Sequence, residues 1–176
     1  MVDSRVEKLA KLCVHYSVAV KPKEKVVIQG SELAFPLTNE IFRECLLNDA
    51  YPYVKSELDV AYTFFKYAKE HQLKLVSPFA KFMDENMDVQ IRIECQPNPK
   101  RLTNIDPSKI QLRRASGRES SEILTKRSLE GKFRSVILRA RAKKLKGETI
   151  ITEKPVKEEA KELMAALQET LNQLKK

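Results

Sequence analysis

One short run narrows the folds open to this chain more than any other feature. KVVIQGS, residues 25–31, is a continuous apolar stretch closed by Gly30 and Ser31, the profile of a strand buried on both faces. The flanking residues have helical periodicity. Val6, Leu9, Ala10, Cys13 and Tyr16 recur three and four apart across 3–20, with Asp3 placed to cap and Pro22 beyond the end. A second helix fits 34–48 with Leu37, Ile41, Cys45 and Leu46 inward, and strand-like YPYVKSEL follows at 51–58.

The pattern is helical again from 60 to about 87, broken at Ser77 and Pro78 into two helices. VQIRIEC, 89–95, alternates Val89, Ile91, Ile93 and Cys95 with Gln90, Arg92 and Glu94. That period of two predicts a strand near a sheet edge. Helix–strand alternation implies parallel strands joined by right-handed crossovers, with helices packed on the sheet. The expected fold is therefore α/β: an open, mainly parallel, three-layer sheet with flanking helices, followed by a C-terminal helical tail.

After Cys95 the character changes. QPNPKRLTNIDP, 96–107, reads as a loop, and Asp106–Pro107 as the cap and first turn of a helix through about Arg114. Gly117 breaks that helix and Ser121 caps another over 122–130. Residues 132–146 fit either a strand followed by a helix or a single helix. From Pro155, apolar residues fall on one stripe (Val156, Ala160, Leu163, Met164, Leu167, Leu171, Leu174). Glu158, Glu159 and Glu162 lie toward its start and Lys175 and Lys176 at its end, as a helix dipole favours.

Charge is distributed unevenly along the 176 residues. Residues 1–96 hold 13 Lys and Arg against 14 Asp and Glu, whereas residues 100–146 hold 15 against 4. Sequence-independent phosphate binding needs such a segment, and Arg113, Arg114, Lys126, Arg127, Lys132, Arg134, Arg139, Arg141, Lys143 and Lys144 are its candidate anion- or nucleic-acid-binding residues. Phe133 is the lone aromatic there, which gives base stacking little support. A solvated basic face, or one docked on an acidic partner, is the commoner use of such a segment. No apolar run reaches the ~18 residues of a membrane span, and MVDSRVEKLAK is not a signal peptide. Cys13, Cys45 and Cys95, an odd count without a CxxC pair, point to reduced, buried thiols and a cytoplasmic setting.

The motifs of catalysis are absent. The sequence has no HExxH, no GxSxG and no GxxxxGK[ST]. His15 and His71 have no ligand-type residue at helical spacing, and Asp84, Glu85 and Asp88 form an acidic group of the kind usually left solvated. The turn GSELAFP after the first strand can present backbone N–H groups, as most parallel α/β units do.

Several stretches together resemble the N-terminal domain of the M29 family of metallo-aminopeptidases. They are LAKLCVHYSVAVKPKEKVVIQGS (9–31), ELAFPLTNEIFRECLLNDAYPYV (32–54), DVQIRIECQPNPKRLTNIDPSKI (88–110) and EILTKRSLEGKFR (122–134), in family order and spacing. Lys23 stands where the family usually has glycine. The resemblance implies a cytoplasmic, homodimeric exopeptidase whose two divalent ions (zinc, cobalt or magnesium) activate water and polarise the scissile carbonyl.

In that family the metal ligands and the catalytic glutamate and tyrosine lie in a larger C-terminal domain, and no position here matches their motifs. The expectation is therefore no catalytic or metal residue and no cofactor in this chain, and a domain inert alone. Its partner would be a second copy or a full-length aminopeptidase, and not a membrane. The alternative is a non-enzymatic adaptor or nucleic-acid-binding protein acting through residues 100–146 and the terminal helix. The resemblance ends near Arg134, so the expected units are an aminopeptidase-like domain over 1–134, a basic connector over 135–154 and an amphipathic helix over 155–176. KGE (146–148), the Pro-containing connector after it and ELMAALQETL (162–171) are similar to the C-terminal tail of prokaryotic Ku.

Overall fold

A computed structural model describes residues 3–95 and 100–139. The chain runs α1 (Ser4–Lys11), β1 (Lys25–Gly30), α2 (Phe35–Leu47), β2 (Tyr51–Ser56), α3 (Ala61–Tyr67), α4 (Glu70–Lys74), α5 (Pro78–Asn86), β3 (Val89–Glu94), α6 (Pro107–Ser116), α7 (Arg118–Leu129) and β4 (Arg134–Arg139). The four strands form one all-parallel sheet in the order β2-β1-β3-β4.

β1 is central, and Val26 through Gly30 are all buried, as the apolar run requires. The register aligns Ile28 with Ile91 and Ile91 with Val136. On this face the strands share one core with Val6, Ala10, Val14, Leu37, Ile41 and Cys45 from the first two helical segments. Gly30 lets α2 approach closely: a Cβ there would lie 3.2 Å from Thr38 Oγ1 and 3.3 Å from Ala34 Cβ. The β1–β2 connection through α2 runs one way across the sheet. The β2–β3 and β3–β4 connections run the other way, so right-handed crossovers place α3–α7 over the opposite face. Val27 and Gln29 are buried on that side, and the arrangement is the three-layer one expected.

The departures from the sequence reading have local causes. Helix α1 continues into a π-helical turn at Leu12–Ser17, which adds a residue per turn and shifts the buried stripe to Val14 and Val18. Tyr16, expected inward, is 82% exposed. Leu46 sits one position beyond Cys45, about 100° further round α2, and is exposed rather than inward. The 60–87 stretch forms three helices instead of two, and α7 begins directly at Arg118, so Ser121 lies inside it and does not cap it. β3 lies one strand in from β4, near the edge of the described sheet as its alternation suggests, and pairs with β1 on one side and β4 on the other.

Other expectations hold. Asp3 accepts from Arg5 N–H at 2.9 Å and Asp106 from Ser108 N–H at 2.9 Å, so both act as N-caps. All three cysteines are free and buried. Residues 134–139, where strand and helix both fitted, are strand, and the sheet continues five residues beyond Arg134. The amphipathic stretch 155–176 lies outside the described residues.

Lys23 explains the glycine usual at its position in the resembled family. Its φ is +65°, in the left-handed region, while its N–H donates to Asp49 O at 2.6 Å and fixes the turn. A β-carbon is disfavoured there by about 1–2 kcal/mol, partly offset by the greater unfolded-state freedom of glycine. Lys23→Gly is expected to stabilise the chain by about 0.5–1 kcal/mol in urea denaturation; a loss of stability would contradict this account of the turn.

Candidate functional site

In a doubly wound parallel sheet, ligands bind outside the carboxyl ends of the strands where the strand order reverses. Here that point lies between β1 and β3. A cleft of about 820 Å³ opens there, lined by Ser31 after β1, by Lys55–Val60 at and beyond the end of β2, and by Arg92–Cys95 at the end of β3. Phe64 and Phe65 of α3, Arg101 and Arg113 complete its wall.

Arg92 is the cation built into the sheet itself. It points to the face opposite Ile91, is half-buried, and its Nε donates to Oε1 of Gln29 at 3.1 Å. Gln29 is only 3% exposed, so the guanidinium is held from beneath by a buried amide. Arg101 Nε lies 3.0 Å from Asp59 Oδ1, an ion pair by distance but off the direction of a hydrogen bond. Arg113 donates to Leu75 O at 2.6 Å and lies 5.7 Å from the Phe64 ring centroid. Glu94 accepts from Arg139 at 3.0 Å. Ser31 Oγ donates to Cys95 O at 2.9 Å, tying the β1 and β3 ends together. Burial pushes the Cys95 thiol above its ordinary range, so it stays protonated at neutral pH and is no activated nucleophile. Burial likewise raises Cys13 and Cys45 to about 12.

Among the described residues, the cations of the basic segment are engaged at different places in the fold. Arg127 donates to Asp84 O and Met87 O, both at 2.7 Å, closing the C-terminal end of α5, and lies 5.8 Å from the Phe133 ring centroid. Lys109 donates to Phe65 O at 2.9 Å and reaches the Lys66 and Ala68 carbonyls, closing α3 in the same way. Arg134 donates to Val18 O at 2.7 Å, to Ala19 O and to Glu24 Oε2. Lys132 pairs with Glu130 at 2.9 Å. Arg114 of α6 and Lys126 of α7 are exposed. Arg141, Lys143 and Lys144 lie outside the described residues. Thus Arg113, Arg127 and Arg134 serve carbonyl groups of the fold, an intramolecular role that composition does not reveal. Conversely, Arg92 and Gln29 carried no functional signal in the sequence beyond a polar alternation in β3.

The described residues do not fit a metal centre. Among them no three His, Cys, Asp or Glu side chains converge where an ion could sit. His15 Nε2 lies 3.2 Å from Glu44 Oε2, whose other oxygen accepts from Arg43 at 2.8 Å. Asp88 Oδ2 accepts from Lys25 N–H at 2.8 Å and locks the start of β1 to β3. His71 is exposed on α4. No helix among the described residues is long and apolar enough to cross a membrane.

Comparison with known proteins agrees with this architecture. A solved structure of wild-type AmpT from Thermus thermophilus superposes with a TM-score of 0.62 at 14% identity. The match covers 77% of this chain and 36% of that one, so the chain spans about a third of that protein's length, and the likeness is one of fold. No curated protein sequence matches. The family model described as thermophilic metalloprotease (M29) matches residues 2–173, continuing well past Arg134 where the sequence resemblance ended. On that match, the chain belongs to the M29 metallopeptidase family.

Proposed function

We propose that this chain acts in the removal of N-terminal residues from peptides, as the α/β unit that walls the approach to an M29 active site and supports subunit contacts. The observation that carries the reading is the family match over residues 2–173. The all-parallel sheet and its fold-level likeness to AmpT support it. In this reading the divalent ions of the family would supply water activation and carbonyl polarisation from a centre outside the described residues, among which no three ligand-type side chains converge. The chain works beside a second copy or a full-length aminopeptidase, in the cytoplasm, and is inert by itself.

The test is a leucyl p-nitroanilide assay on the pure chain with added zinc, cobalt or magnesium. No metal-dependent release of nitroaniline is expected. Turnover that follows added metal and disappears with chelator would overturn the assignment of inertness.

A further inference from the structure

An arginine on an interior strand is costly unless something holds or uses its charge. β3 carries one, Arg92, between β1 and β4. Its Nε is engaged by Gln29, while the described residues offer its two terminal nitrogens no hydrogen-bond partner. We propose that the cleft at the carboxyl ends of β1, β2 and β3 binds a short peptide with a free C-terminus, whose carboxylate sits on the Arg92 fork.

The charges that line the cleft point to this class of ligand. Arg101 faces Asp59, Glu94 is bonded to Arg139, and Arg113 is bonded to Leu75 O. Of the other charged side chains lining the cleft, Lys55 and Glu57 make no side-chain bond among the described residues and Arg92 makes only the one to Gln29. Two cations and one carboxylate suit a ligand that carries a carboxylate and an ammonium. The planar guanidinium, oriented through its Nε, presents two parallel N–H donors to a carboxylate. Glu57 at the rim accepts the ammonium, and Phe64 and Phe65 offer an apolar wall to side chains. About 820 Å³ falls in the size range of small-ligand sites and exceeds what one amino acid fills.

Phosphate fits less well. Phosphate sites at this position use glycine-rich turns and the N–H groups of a following helix. Here β1 leads through Ser31 into a helical turn, Glu32–Ala34, that runs directly into α2, and this turn holds no glycine beyond Gly30 and carries the acidic Glu32. The Ser31 hydroxyl is spent on Cys95 O, and Glu57 repels a dianion. The inference stands on the cleft's own residues, whether or not the chain takes part in peptide hydrolysis.

Isothermal titration of the chain with Leu-Gly-Gly, with its C-terminal amide and with inorganic phosphate tests it at low salt. The free acid is expected to bind on the order of tenfold more tightly than the amide, the worth of a charge-assisted hydrogen-bonded pair. Arg92→Gln should abolish that preference, and Lys55→Gln, on the exposed edge strand, should reduce it. Equal affinity for acid and amide, no binding of either peptide, or tighter binding of phosphate than of the free acid would each overturn the proposal. The acid–amide comparison on the unaltered chain decides the matter even where Arg92→Gln does not fold.

Discussion

Ile91→Ala is expected to destabilise this chain by about 2–5 kcal/mol, the range for deleting a fully buried β-branched side chain that its surroundings cannot replace. Ile91 is completely inaccessible, sits between Ile28 and Val136 in adjacent strands, and belongs to the core shared with the first two helical segments. Strands on both sides pin its backbone, so the cavity collapses only in part. Ile137→Ala, one strand over on the opposite face at 52% exposure, is the control and should change stability by less than about 0.5 kcal/mol. Urea denaturation of the two variants checks the contrast. Equal losses would mean that the core does not lie on the face described.

Arg134→Met is the second large effect, about 2–3 kcal/mol. The guanidinium joins the first residue of β4 to the carbonyls of Val18 and Ala19 and to Glu24, more than a hundred residues earlier. Methionine keeps much of the apolar stem but leaves those acceptors without their donor. Arg114→Gln and Lys126→Gln, at exposed positions, should stay within about 0.5 kcal/mol. Circular dichroism melts of the three variants separate a structural arginine from surface charge. A neutral Arg134→Met would return this residue to the set available for an external anion.

The same arginine predicts a pH dependence. Burial of Glu24 by itself raises its pKa, but hydrogen bonds from Arg134 and from the Lys21 N–H outweigh it, and the carboxyl ends below its ordinary range. A lowered folded-state pKa contributes stability above the unfolded glutamate value, near 4.3, and loses it as pH falls through the lowered value. The penalty of Arg134→Met should therefore be larger at pH 7 than below the carboxylate range. Denaturation at the two pH values measures this, and a pH-independent penalty would show that Glu24 is not coupled to Arg134.

Much of the architecture was legible in the residues because it depends on neighbours in sequence. The run KVVIQGS can be satisfied only inside a layered sheet, and Asp3 and Asp106 mark helix starts through bonds to N–H groups two residues on. The candidate site was much less legible. β3 alternates polar and apolar residues, which by itself signals a strand near a sheet edge. In the fold the strand is flanked on both sides, and on its polar side Arg92, held by the buried Gln29, and Glu94 line the cleft. Arg92 and Glu94 are only partly exposed there. Failures of local pattern are expected at such places.

The basic segment teaches the same lesson from the other direction. Its charge was visible in composition, but its use was not. Arg127 reaches carbonyls 40 and 43 residues away, and Arg134 reaches one 116 residues away. The sequence by itself determined the layers, the first three strands and the caps at Asp3 and Asp106, because periodicity and capping act within a few residues. Only the tertiary structure decided the strand order, the interior place of β3 and the carbonyls that its cations serve. Those rest on hydrogen bonds between groups far apart in the chain, which leave no local mark on the order of the amino acids.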